Sequence, residues 1–290
     1  RRQRQMCIRD SYRVGARNEN PARTGFAHLF EHLMFRGTRT VENFDLPVQM
    51  ASGDNNAFTN NDYTDFYITL PKDNLETALW LESDRMEGLD ITPAKLEAEK
   101  KVVIEEFRQR YLNQPYGDQT MLLRALAYKV HPYRWAAIGL ATDHIAGATL
   151  ADVESFYRTH YRPSNAILSI SADMEEERML ELAEKWFAPL ADHPSATAAI
   201  PQEPMQTQAR RQEVERDVPA STVTVAYHMC ARTKPDFYTA DLVSDLLSGG
   251  DSGRLYTHLV KERNLLSSVN AYITGDVDPG LFVFLSLIHI

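Results

Sequence analysis

Residues 25–38 read Gly25-Phe26-Ala27-His28-Leu29-Phe30-Glu31-His32-Leu33-Met34-Phe35-Arg36-Gly37-Thr38, an apolar run interrupted by two imidazoles and a carboxylate. Thr24-Gly25 can open a helix here and Gly37 is placed to close it. With Phe26, Leu29, Phe30, Leu33, Met34 and Phe35 apolar, such a helix is hydrophobic on nearly every side, which predicts burial. Polar groups on a buried helix must be satisfied. His28 and His32, four residues apart, lie one turn above one another, so both rings can reach a single ion, and Glu31 projects from the same side. The H-x-x-E-H spacing inverts the commoner H-E-x-x-H zinc site. Two neutral imidazoles suit Zn2+, and a carboxylate beside them is placed to take a proton from water.

An open zinc centre with two histidines needs a third protein ligand, and a second helix rich in carboxylates is the place to look. Thr92-Pro93 reads as an N-cap followed by proline in the first turn, and residues 94–111 are rich in helix formers. Glu99 and Glu106 are seven apart and share a face with Val103 between them. Glu97 and Glu105 are expected on a solvated face with Lys95, Lys100 and Lys101.

Both segments resemble the signature of the pitrilysin/insulinase zinc metallopeptidases, the family that includes the mitochondrial processing peptidase subunits. The first is residues 25–38; the second is Glu99-Lys100-Lys101-Val102-Val103-Ile104-Glu105-Glu106. The resemblance implies Glu106 as the third zinc ligand beside His28 and His32, Glu31 as general base, and Glu99 as a supporting carboxylate. Gly53-Asp54-Asn55-Asn56-Ala57-Phe58-Thr59 looks like the family's edge strand, which implies substrate binding at Asn56, Ala57 and Phe58 through an added peptide strand. His131-Pro132-Tyr133, the segment 152–161, and Tyr161-Arg162-Pro163-Ser164-Asn165-Ala166 also fit the family pattern. The likeness runs from about Val14 to Phe284.

Strand and helix patterns alternate irregularly, so the expected class is α+β: antiparallel sheets packed against helices rather than a doubly wound parallel sheet. Two domains are expected, and the family implies that they are homologous. The boundaries read from the sequence are a non-native or disordered tail over 1–12, a zinc-bearing domain over 13–188, a Pro- and Gln-rich linker over 189–213, and an incomplete second domain without metal residues over 214–290. The first sheet is expected to lack a strand, because residues 1–12 show charge and no strand period.

Some family members use an arginine and a tyrosine seven residues apart in the second domain to hold the substrate carbonyl. Val260 and Ser267 occupy those places here. The expectation is that a second half or partner subunit supplies the pair and closes a chamber around the peptide. Arg254 and Arg263 are assigned to helix surface.

A net charge of -9 argues against nucleic-acid binding. Cys7 and Cys230 are too few for a disulfide framework, and no apolar run is long enough for a membrane span, leaving a soluble chain of cytoplasmic or periplasmic type. His131, His144, His160, His193, His228, His258 and His289 lack partners at ligand spacing and are read as surface or core residues. The function expected is zinc-dependent hydrolysis of peptide bonds in extended peptides. Its alternatives are a non-catalytic, polypeptide-binding subunit of a heterodimeric peptidase and a zinc hydrolase or lyase acting on a small molecule.

Overall fold

The computed structural model describes residues 5–192 and 198–288. His193 and His289 lie outside them, as do the first four residues of the expected tail. The elements run β1 Gln5–Tyr12, α1 Phe26–Leu33, α2 Asp45–Met50, β2 Asp54–Thr59, β3 Thr64–Pro71, α3 Leu75–Glu87 and α4 Pro93–Phe107. Then follow α5 Gln119–Ala127, α6 Thr142–Ala146, α7 Leu150–His160, β4 Ala166–Ser171 and α8 Glu176–Phe187. Beyond these come β5 Thr222–His228, α9 Pro235–Ser248, a π-helical turn Tyr256–Glu262, β6 Leu266–Ile273 and β7 Leu281–Ile288. The chain divides into one compact unit of residues 1–109 and 130–202 and another of 110–129 and 203–290.

In the first unit the sheet order is β2-β3-β1-β4, every pair antiparallel. Met6, Ile8, Ile68 and Leu70 pack beneath the sheet against Leu75, Ala78, Leu79 and Leu81 of α3 and Leu182, Met179 and Trp186 of α8. Farther along the same face Phe30 of α1 stacks on Phe156 and Tyr157 of α7. In the second unit the order is β5-β7-β6, again antiparallel, with α9 against β6. This repeats the β1-β3-β2 order of the first sheet, with a helix following the first strand in each case. The duplication that the sequence does not display is therefore visible in the topology. The counterpart helix, α9, carries neither histidine nor glutamate.

Two boundaries differ from the sequence reading. Residues 5–12 are not a tail: β1 is an inner strand, paired with β3 and β4, and it fills the place of the strand the sequence was expected to lack. Its inward positions Met6, Ile8, Asp10 and Tyr12 are all buried, so the period of two is present. A charged residue at one inward position hides it. Cys7 is accordingly a strand residue. The first domain is also not the continuous stretch 13–188, because residues 110–129, with α5, belong to the second unit. There the Gln119 side chain donates to Thr224 Oγ1 at 2.7 Å and Tyr116 Oη to the Ala220 carbonyl at 2.8 Å. The described residues of 189–213 form neither helix nor strand.

Asp10 sits in a buried cluster with Glu82 and Arg85, the latter two ion-paired. The Arg85 guanidinium stacks over Phe66 at 4.2 Å and Phe44 at 4.5 Å, which replaces water with ring faces. Burial first, then the charge of Glu82, raises the Asp10 carboxyl well above its ordinary range, although Arg85 pulls it down. The folded protein thus retains a proton that the unfolded chain releases near pH 4. Stability from this group is full below that pH and is lost as pH rises toward the folded value. Asp10→Asn keeps an acceptor for Tyr12 Oη, now at 3.2 Å, and supplies a donor toward Glu82. It should abolish this component of the pH dependence in urea unfolding, whereas Asp10→Ala should cost about 1–3 kcal/mol at every pH.

Candidate metal centre

Helix α1 begins where Gly25 takes φ +89°, and a Cβ there would lie 2.6 Å from the Ile138 carbonyl oxygen. No side chain at position 25 can cap the helix. Glu19 does so from outside: Oε2 accepts from the Gly25 amide at 2.8 Å and Oε1 from the Ala27 amide at 2.9 Å. Burial pushes this carboxyl up to about 8, while the Ala27 and Gly25 amides pull it back down. The helix is shorter than expected, ending at Leu33, with Gly37 (φ +100°) in the turn beyond. Its apolar residues are buried as expected. Helix α4 starts with Thr92 Oγ1 accepting from the Lys95 amide at 3.2 Å, and it packs against α1.

The two helices bring His28, His32 and Glu106 together, one donor atom of each within 4.8 Å of the others. Glu106 Oε2 lies 3.6 Å from His28 Nε2 and 3.3 Å from His32 Nε2. Donors held about 2.0–2.2 Å from a tetrahedral zinc ion stand roughly 3.3–3.6 Å apart. The two distances from Glu106 match that spacing. Among the described residues this is the sole such cluster. Glu31 is half-buried on the same helix, one position before His32.

Behind these atoms a second carboxylate, Glu99, lies against His32. Glu99, 1% exposed, places Oε2 3.4 Å from His32 Nδ1 and Oε1 2.5 Å from Arg36 Nε. Burial raises the Glu99 carboxyl, but the hydrogen bond from His32 and the charge of Arg36 outweigh it and the net direction is down. For His32, burial works against the charged ring; hydrogen bonds to Glu106 and Glu99 reverse this and lift it to about 9. The pocket between the two carboxylates thus favours positive charge. Val103 is buried on the face shared by Glu99 and Glu106, while Glu97 and Glu105 face solvent. Lys100 departs from the expected solvated face: it is buried, its Nζ donating to the Ala148 carbonyl at 3.1 Å and to Glu97 at 2.6 Å.

Strand β2 holds Asn56, Ala57 and Phe58 at the sheet edge, beside α1. The Ala57 amide donates to Asn56 Oδ1 at 2.8 Å, and Phe58 is exposed. Val260 lies in the π-helical turn and Ser267 in β6, so neither supplies the missing cation or phenol, and Arg254 and Arg263 are exposed as expected. His131 Nδ1 accepts from the Tyr133 amide, His144 bonds Thr24, and His258 pairs with Glu262. His160 is buried and held low, to about 4, by desolvation and Arg162.

Residues 11–136 match the model of the insulinase family, peptidase family M16, and residues 147–287 match that of the peptidase M16 inactive domain. A solved protease from Helicobacter pylori superposes with a TM-score of 0.93 at 31% identity, covering 99% of this chain and 70% of that one. The chain belongs to the M16 family. Its relatives include the zinc protease PqqE of Helicobacter pylori, 33% identical over 95% of this chain and 63% of the relative. A probable mitochondrial-processing peptidase subunit beta of Arabidopsis thaliana is 25% identical over 93% of this chain and 52% of its own length. The chain thus spans roughly half to two thirds of these curated M16 relatives. No helix among the described residues is long and apolar enough to cross a membrane.

What the sequence reading missed in this M16 site is Glu19. It stands at the start of the stretch that resembles the family, where no motif marks it. The available signal was an acidic residue just ahead of a buried helix whose own N-cap position is glycine.

Proposed function

We propose that the chain carries the metal centre of a zinc-dependent endopeptidase acting on extended peptides. The observation that supports this best is the approach of Glu106 Oε2 to both His28 Nε2 and His32 Nε2 at donor spacing. Those three side chains would hold the ion. Zinc bound there would supply a Lewis acid that polarises the scissile carbonyl and lowers the pKa of water to about 7. Glu31 then acts as general base and acid: a carboxylate oxygen takes the proton of the attacking water and returns it to the leaving amine nitrogen. Glu99 fixes the His32 ring through Nδ1, and Arg36 holds Glu99.

The peptide would lie along β2 as a further strand. Ala57 offers the backbone amide now held by Asn56 Oδ1, and Phe58 offers an apolar surface beside it. The arginine and tyrosine missing from positions 260 and 267 would come from a second half or partner subunit that closes over the substrate.

Incubated with a mixed library of extended peptides, the purified protein should cut internal bonds, lose this activity to a chelator and regain it with zinc. Capture of peptides by a zinc-free chain would instead favour the non-catalytic subunit.

A further inference from the structure

The geometry points to Glu19 as a positioning residue that sets the first turn of α1, and with it His28, against the turn that ends the peptide-binding edge strand. The first amides of any helix lack partners within it. Here Glu19, 5% exposed, accepts from both Gly25 and Ala27. The Ala27 amide belongs to the residue just before His28, so Glu19 holds the backbone one residue ahead of the one from which that imidazole projects. His32, one turn later, is held independently by Glu99. Loss of Glu19 should therefore disturb one histidine more than the other.

The segment leading to Glu19 is itself anchored. The Ala16 amide donates to the Asn60 carbonyl at 3.1 Å and the Arg17 amide to the Asn61 carbonyl at 2.9 Å. Arg17 Nη1 lies 3.3 Å from Asp62, and a Cβ on Gly15 would come within 2.6 Å of the backbone at residues 60–62. Trp135 Nε1 closes the segment by donating to the Ala16 carbonyl at 3.0 Å. Residues 60–62 link β2 to β3. Glu19 thus ties the start of the histidine-bearing helix to the end of the strand that would receive the peptide.

This inference rests on the zinc reading, and the test separates the two. Zinc affinity of the wild-type protein, Glu19→Gln and Glu19→Ala is measured by competition with a chromophoric chelator. The cobalt-substituted absorption spectrum, kcat and KM for one peptide, and urea unfolding are recorded alongside. Glu19→Ala should bind zinc about tenfold more weakly or worse, the scale of losing an outer partner of a metal site, with an altered cobalt spectrum and a fall in kcat exceeding any change in KM. Glu19→Gln keeps one acceptor oxygen and should fall between; if the alanine variant does not fold, the glutamine variant decides. Folded variants with wild-type zinc affinity and cobalt spectrum would reduce Glu19 to an ordinary helix cap and overturn the inference. A wild-type protein that takes up no zinc would overturn the metal reading instead.

Discussion

Glu31→Gln should lower kcat by about 10²- to 10⁴-fold, the contribution of a positioned general acid–base group, while zinc content and unfolding midpoint stay at wild-type values. The amide has the shape of the carboxyl but cannot accept the proton, and Glu31 is outside the group of donor atoms that converge on one point. It is half-buried, so the substitution adds no void and strands no deep charge. Steady-state kinetics on a peptide substrate, with elemental analysis of the same sample, checks both halves of the expectation. Full activity in the variant would refute the assignment of Glu31, and loss of zinc would show that it acts through the metal site and not through the proton.

The parts of this molecule that were legible in its sequence are those governed by local rules. The Thr92 cap and the shared face of Glu99, Val103 and Glu106 follow from cap chemistry and helical period. The strand character of residues 53–59 comes with the family resemblance, since Asp54-Asn55-Asn56-Ala57-Phe58-Thr59 does not alternate in polarity. What escaped is what tertiary contacts decide. β1 escapes a sequence reading because Asp10 occupies an inward position, tolerable only beside Glu82 and Arg85, which lie elsewhere in the sequence, and Tyr12 on its own strand. Lys100 looked like one lysine among three on a solvated helix until Ala148 gave it a buried acceptor. Helix α5 joins the second unit through its packing against β5 and through hydrogen bonds from Gln119 to Thr222 and Thr224, none of which its own sequence announces. The duplication is legible only in strand order, since packing constrains pairing more tightly than residue identity.

Glu106 gives the sharpest contrast within the site, because its neighbours supply internal controls. Glu105 is on the same helix but points away, 3.6 Å from Arg108 and exposed. Glu99 is buried and touches His32 without belonging to the three-residue cluster. Glu105→Gln should leave zinc affinity unchanged, Glu99→Gln should weaken it by roughly 10–100-fold, and Glu106→Gln should weaken it further still, since a ligand is lost and not its support. The amide oxygen that remains is neutral and no longer balances the dication.

Zinc per chain after extensive dialysis, determined by elemental analysis of the wild-type protein beside Glu105→Gln and Glu106→Gln, is the most direct measurement. One zinc in the wild type and in Glu105→Gln, with none in Glu106→Gln, is the predicted result. Stoichiometric zinc retained by Glu106→Gln would contradict the claim that two helices distant in sequence meet to bind the ion.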